Sequence, residues 1–428
     1  MPGASAIVDA GQCPQPRVMG RDRLHLLHLS QFPPGPATFG AQRRMEGLLA
    51  ALARRHDITG FSLIAPDLDA SAARRAMSAY CQEVVLVPAR AWRGPGKRLL
   101  QMRSLFSSRS FERGFHDLPA LRTALDSLLS RRAFDVVSVA FPFLALRRLA
   151  KAPAGRPAPR LVLDEHNIEF DLARQQAGGE HGAARRIYNS INWRKLRREE
   201  LEVWRGFDGV TFCSPEDEVR ARALVPEVRS AVIPNAVDPE YFRPRAGDPA
   251  ADGRTVLFFG AINYFPNVDG LLYLLREVWP RVARTHPHAR LQIVGQHPTK
   301  EILAFQAPDI EVLGRVDDVR PHLARAAVSV VPLRMGGGTR FKVLETMAMA
   351  RPVVSTSLGA EGIEAEDGRH LLLADDAASF AAAVGRVLDD ARLGARLGVE
   401  GRALVEHRYS WQAAAHRLDV FFRELLAE

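Results

Sequence analysis

The segment Pro332–Gly359, PLRMGGGTRFKVLETMAMARPVVSTSLG, sets three glycines and a threonine between an apolar run and a helical pattern. Glycines at the carboxyl end of a buried strand let backbone N–H groups close on an anion, and the following helix adds its positive end. Gly336, Gly337, Gly338 and Thr339 are therefore candidate phosphate donors. Arg340 and Lys342 fall in the first helical turn. Cations are disfavoured there unless an anion joins them, so their placement points to a bound diphosphate. Glu345 follows on the same helix face, one turn from the phosphate, where a carboxylate can accept both hydroxyls of a ribose. A plain Lys342–Glu345 ion pair is the alternative.

Two more segments carry polar groups where α/β sites form. FPPGPATFGAQRR, residues 32–44, is a Gly/Pro-rich turn into a helix, with Gly40 the candidate for close backbone approach and Arg43 and Arg44 read as solvated. LVLDEHNIEFDLAR, residues 161–174, puts Asp164, Glu165, His166 and Asn167 just past a buried strand. A histidine inside such a polar cluster is a candidate site residue, whereas Asp164 and Glu165 can equally cap the next helix.

Alternating strands and helices must position these residues. Apolar runs of strand length stand at Leu24–Leu29, Ile58–Ala65, Val84–Val87, Asp135–Ala140, Leu161–Leu163, Val210–Phe212 and Ala231–Ile233. Helical patterns such as Arg43–Arg54 and Leu118–Leu129 lie between them. A Pro-punctuated stretch from Pro234 to Gly253 interrupts the alternation, which then restarts with strands at 256–259, 291–294, 310–312, 328–331 and 353–355 and helices at 268–283, 319–326 and 340–349. The expectation is a mobile tail over 1–22, a first domain over 23–240, a linker over 241–254, a second domain over 255–410, and a last helix over 411–428 that crosses back to the first. Both domains read as doubly wound α/β units with parallel sheets.

A chain of 428 residues with 47% hydrophobic and 25% charged residues suits two such domains. There is no apolar run long enough to span a bilayer and no signal-like start, so a cytoplasmic protein is expected, including at the inner face of the membrane. Three scattered cysteines suggest neither a disulfide frame nor a zinc site, and no aspartates show a paired metal spacing. The net charge of +9 sits in the first half, where residues 1–240 hold 35 Lys and Arg against 26 Asp and Glu. Anionic headgroups, a lipid diphosphate and nucleic acid all fit that asymmetry, as does a merely solvated surface. Two basic stretches with aromatics, 91–115 and 185–207, are candidates for a membrane surface, the second also for pairing of its arginines with Glu199, Glu200 and Glu202.

The Gly-rich segment resembles the donor site of the retaining family 4 glycosyltransferases, whose signature is two glutamates separated by seven residues. Glu345 in KVLETMA matches the second, while the first falls on Gly337, in a GGGTR-x-K pattern similar to that of a subgroup. VIPNAVDPEYF at 232–242 resembles the family's interdomain segment, and GRVDDVRPHLARAAVSVVPL at 314–333 its base-binding loop and following strand. The resemblance spans roughly residues 23–415 and implies a GT-B fold of two Rossmann-like domains, a nucleotide diphosphate sugar as donor substrate, no cofactor and no metal. It implies donor contacts at Gly260, Arg315 and Val316, a cleft role for His166, and acceptor or phosphate contacts at Gly40 and Asn167. The family's arginine and lysine after the glycine of the 258–270 segment are absent, which leaves Arg340 and Lys342 as replacements. The expected activity is sugar transfer to a glycan or lipid-linked acceptor, with no nucleic-acid partner. The competing expectations are a nucleotide-sugar epimerase or hydrolase on the same fold, and a non-enzymatic polyanion binder. An NAD enzyme lacks the G-x-G-x-x-G that it needs.

Overall fold

A computed structural model of the chain describes residues 22–91, 95–145, 149, 155, 157–178, 182–336 and 339–428. Among these residues, thirteen strands form two parallel sheets. The first sheet contains β1 (His25–Ser30), β2 (Asp57–Ile64), β3 (Glu83–Pro88), β4 (Val136–Ala140), β5 (Arg160–Glu165), β6 (Gly209–Phe212) and β7 (Ser230–Val232), in the order 3-2-1-4-5-6-7. The second contains β8 (Thr255–Phe259), β9 (Arg290–Val294), β10 (Ile310–Gly314), β11 (Val328–Val331), β12 (Val353–Ser355) and β13 (Leu372–Leu373), in the order 10-9-8-11-12-13. Both have the doubly wound order, so each has a switch point where the strand order reverses, between β1 and β4 and between β8 and β11. Register aligns Leu26 with Ile58 on one side and Val136 on the other, and Val256 with Leu291 and Val328. The central strands are buried on both faces, which is why they read as continuous Val/Leu/Ile runs rather than alternating ones.

Helix boundaries follow local chemistry. Asp69, Ser110, Ser214, Asp376, Asp390 and Ser410 each cap a helix through a side-chain oxygen. The pattern read as one helix over 268–283 begins earlier, at Phe265, and reaches Thr285 through a π turn at Leu274–Val278. The helix after the Gly-rich segment runs Phe341–Ala348, with Arg340 at its N-cap rather than inside it.

The terminal helix Trp411–Ala427 lies on the first domain. Its Ala414, Leu418, Phe421, Phe422 and Leu425 share one core with Leu26, Leu48, Ile58, Val136 and Val162. Trp411 sits where a Cβ at position 47 would be, so glycine at 47 is what admits the helix to this seat. No helix among the described residues is long and apolar enough to cross a membrane.

Candidate active site

The two switch points face one another. Gly40 starts the first helix (Gly40–Leu52) after β1, and a Cβ there would lie 3.4 Å from the ring of Phe341, the first residue of the helix after the Gly-rich segment. Along this seam Asn235 Nδ2 donates to the Thr339 carbonyl at 2.9 Å, Thr339 Oγ1 donates to the Cys213 carbonyl at 2.8 Å, and Arg220 pairs with Glu361 at 3.0 Å. Thr339 is buried, and its hydroxyl and carbonyl join the domains. Gly336 adopts a φ of +105°, while Gly337 and Gly338 lie outside the described residues.

On the second-domain side, Lys342 reaches back to the end of β8. Its Nζ donates to Asn267 Oδ1 at 2.8 Å, lies 4.4 Å from the Phe258 ring centre, and would be 3.0 Å from a Cβ on Gly260. Gly260 has a φ of +142° and its open flank is what the ammonium occupies. Burial, then the nearby Arg340 charge, pushes the Lys342 pKa down to about 7. A cation held by an amide oxygen and a ring face, beside a helix N-terminus, is poised for an anion. Arg340 folds under the loop, its Nη2 3.3 Å from a Cβ position on Gly336, with Glu361, Tyr264 and Asp217 the charges that oppose the effect of its burial. Arg315 is exposed after β10, and Val316 packs at the edge of the cluster of Leu257, Phe259 and Val294.

Glu345 is buried, and its partner is Arg43 of the first helix, across the cleft, rather than Lys342. Arg43 is thus not simply solvated. Burial raises the Glu345 pKa, with Arg43 and then Lys342 opposing.

On the first-domain side, the polar cluster after β5 is built inward. Asp164 accepts from Arg44 Nη2 at 2.7 Å and Nε at 3.2 Å, from Thr211 Oγ1 at 2.8 Å, and from His166 Nε2 at 3.2 Å. Burial works to raise the Asp164 pKa, but Arg44 and His166 hold it well below the usual carboxylate range. His166 is itself buried, and burial lowers its pKa against the pull of Asp164. The ring is therefore neutral, Nε2–H donates to the carboxylate, and Nδ1, which has no partner among the described residues, is a bare acceptor. The Phe141 ring lies 4.3 Å from it, on a residue held at a φ of +69° at the end of β4. His28, within β1, is also buried, its pKa brought down to about 4 by burial and tempered by Asp164. Asn167 is half-buried beside Glu169.

Two sequence expectations are corrected here. Asp164 and Glu165 do not cap the following helix: Glu165 accepts from Trp204 Nε1 at 2.9 Å, and Glu200 takes the first N–H groups, of Glu169 and Phe170. Nor is Arg44 solvated. It is 1% exposed and also donates to the Ile233 carbonyl at 2.8 Å. The signal for it was its place one turn before Leu48, on the apolar stripe of its helix. Asn267 and Asn235 carried no comparable signal.

Residues 39–241 match the family model described as "Glycosyltransferase Family 4", and residues 253–390 match "Glycosyl transferases group 1". A phosphatidylinositol monomannoside mannosyltransferase of Mycolicibacterium smegmatis, named as GDP-mannose-dependent, is 26% identical over 92% of this chain and 96% of its own. A glycogen synthase of Mycobacterium tuberculosis is 27% identical over 65% of this chain and 64% of its own. Among solved structures, sucrose-phosphate synthase from Thermosynechococcus elongatus superposes with a TM-score of 0.70 at 18% identity, over 95% of this chain and all of that one. Anabaena Alr3699/HepE in complex with UDP-glucose gives 0.65 at 13%, over 94% of this chain and 100% of that one. The fold is GT-B.

Proposed function

We propose that this chain, a glycosyltransferase by the family matches of both its halves and GT-B by fold, moves a sugar from a nucleoside diphosphate sugar to a hydroxyl of a glycan or lipid-linked acceptor, with retention and without a metal. The observation that carries the reading is the Lys342 ammonium, half-buried against Gly260 at the second switch point with an amide rather than a carboxylate as its hydrogen-bond partner. The diphosphate binds there and at the N-terminus of the helix Phe341–Ala348, Glu345 takes the ribose, and Nδ1 of His166 accepts from a sugar hydroxyl. In the reaction the bond from C1 to the diphosphate oxygen breaks, the acceptor oxygen bonds C1 on the same face, and the acceptor's proton leaves with the diphosphate. Lys342 and the helix end meet the negative charge that develops on the leaving group. No cluster of three or more His, Cys, Asp or Glu suited to a metal exists among the described residues.

The test is a thermal-shift panel of nucleotide sugars, starting with GDP-mannose and UDP-glucose because relatives carry those donors. Saturation at about a hundred times Kd should add about 2.7 kcal/mol. If no nucleoside diphosphate shifts Tm, the reading fails; if donor is consumed with no acceptor, the chemistry is hydrolysis or epimerisation.

His166→Ala should lower kcat by one to two orders of magnitude while leaving donor Kd within about threefold, because the contact strengthens as the glycosidic bond stretches. Equal loss in Kd and none in kcat would make it a ground-state contact only.

Nucleotide affinity should also fall on the acid side, as Glu345 takes a proton and can no longer accept from two hydroxyls. Arg43 opposes that protonation, so in Arg43→Ala the acid limb should move to higher pH. A titration of affinity against pH in both proteins shows it, and coincident acid limbs would dissociate Glu345 from the nucleotide.

A further inference from the structure

The first domain carries a face on which cations and exposed apolar side chains stand together. From Ala91 to Ser110, and again from Gly182 to Arg198, the sequence has no aspartate or glutamate. The helix Pro95–Leu105 and the turn after it expose Leu99 (57%), Met102 (62%) and Phe106 (91%), and the start of the long helix Ala183–Gly206 exposes Ile187 (61%). Arg98, Arg103, Arg186 and Arg194 are exposed among them. These two pieces are tied into one surface: Ser104 Oγ lies 3.2 Å from the Tyr188 hydroxyl, and Lys195 Nζ donates to the Ser104 carbonyl at 2.6 Å.

The carboxylates expected to neutralise the long helix point elsewhere. Glu199 accepts from the Ser110 N–H and hydroxyl, and Glu200 from the N–H groups of Glu169 and Phe170, so only Glu202 meets an arginine, Arg198, at 3.8 Å. They pin the face to the body of the domain, and among the described residues no ion pair engages Arg98, Arg103, Arg186 or Arg194.

We infer that this surface, built around Leu99, Met102, Phe106 and Ile187 and ringed by Arg98, Arg103, Arg186 and Arg194, seats the protein on an anionic lipid bilayer. Apolar side chains of this kind enter the boundary between headgroups and acyl chains, while the arginines meet lipid phosphates and bury their stems. A second copy of the chain would bring like charge against like charge. Nucleic acid would use the arginines but give the aliphatic side chains nothing to enter. An anionic bilayer satisfies both halves of the surface. The helix that Glu200 caps starts three residues after His166, so the docked face and the cleft share a rigid element. The docking does not depend on the transfer chemistry.

The experiment is flotation of the full chain with phosphatidylcholine vesicles that contain or lack phosphatidylglycerol, across a salt series. Wild type should float only with the anionic vesicles, and less as salt rises. The variant Leu99→Asp/Phe106→Asp should bind them roughly tenfold or more weakly, with unchanged circular dichroism and an unchanged thermal shift on nucleotide addition. Arg98→Glu/Arg103→Glu should lose binding and its salt dependence together. Failure to float with either vesicle, or equal binding by the variants, overturns the assignment. So does sedimentation showing a wild-type dimer that the Leu99/Phe106 variant abolishes.

Discussion

Lys342→Ala should cut turnover about a hundredfold or more, because a preorganised charge facing the leaving group contributes on the order of 3–4 kcal/mol to the transition state. The side chain reaches Gly260 from the helix Phe341–Ala348, and its ammonium has a neutral hydrogen-bond partner. Arg340→Ala should also lose activity, and the double variant should fall by less than the product of the singles because both cations act on one anion. The ordinary lysine pKa is brought down to about 7 here, and a bound diphosphate raises it again. Nucleoside diphosphate affinity should therefore fall as pH rises above about 7, and binding near neutrality should take up a proton, visible as a buffer-dependent enthalpy. The sign for folding is opposite. Between about 7 and the unfolded value the unfolded chain binds the extra proton, so this group makes the free protein more stable as pH rises. Affinity and stability moving together over that range, or a Lys342→Ala protein with the wild-type alkaline limb, would remove the lysine from the diphosphate site.

Arg44→Ala should destabilise the protein by about 3–5 kcal/mol in urea unfolding, since it strands the buried Asp164 carboxylate without its cation. The guanidinium also holds the Ile233 carbonyl and Asn235, at 2.8 and 3.3 Å, where the chain leaves the first domain. Arg44→Met with Asp164→Asn should recover much of that loss, because no uncompensated charge then remains. Recovery of stability without recovery of turnover is the expected pattern: a neutral amide in place of the Asp164 carboxylate cannot fix the His166 tautomer as the carboxylate does. A loss below about 1 kcal/mol in the single variant would mean that water, not Arg44, satisfies Asp164.

The sheet architecture was legible because parallel strands buried on both faces write themselves as unbroken apolar runs, and twelve of the strands described in the two doubly wound sheets are what those runs became. Strand β13, two residues long, had no such run. Of the site, the segments at the strand ends could be read, since glycine, charge and position at a helix start are local properties. Partnership could not. The Glu345–Arg43 pair joins residues 302 positions apart, and the Arg44–Asp164 pair joins residues 120 apart. Spacing within a helix suggested Lys342 for the first and solvent for the second, because periodicity says which face a residue is on and not what lies opposite.

The terminal helix has a consequence for how the protein is made. Six of its apolar residues complete a core whose other members begin at Leu24, so a layer of the first domain's interior stays open until residues 411–427 leave the ribosome. The first half cannot finish folding as an autonomous unit during synthesis, even though its sheet is complete by Val232. Leu26, Ile58, Val136 and Val162 wait for Phe421, Phe422 and Leu425, a closure of very high sequence separation. Nascent chains arrested before Trp411 should therefore be cut readily by protease within the first domain, and protection should arrive in one step when the final helix emerges.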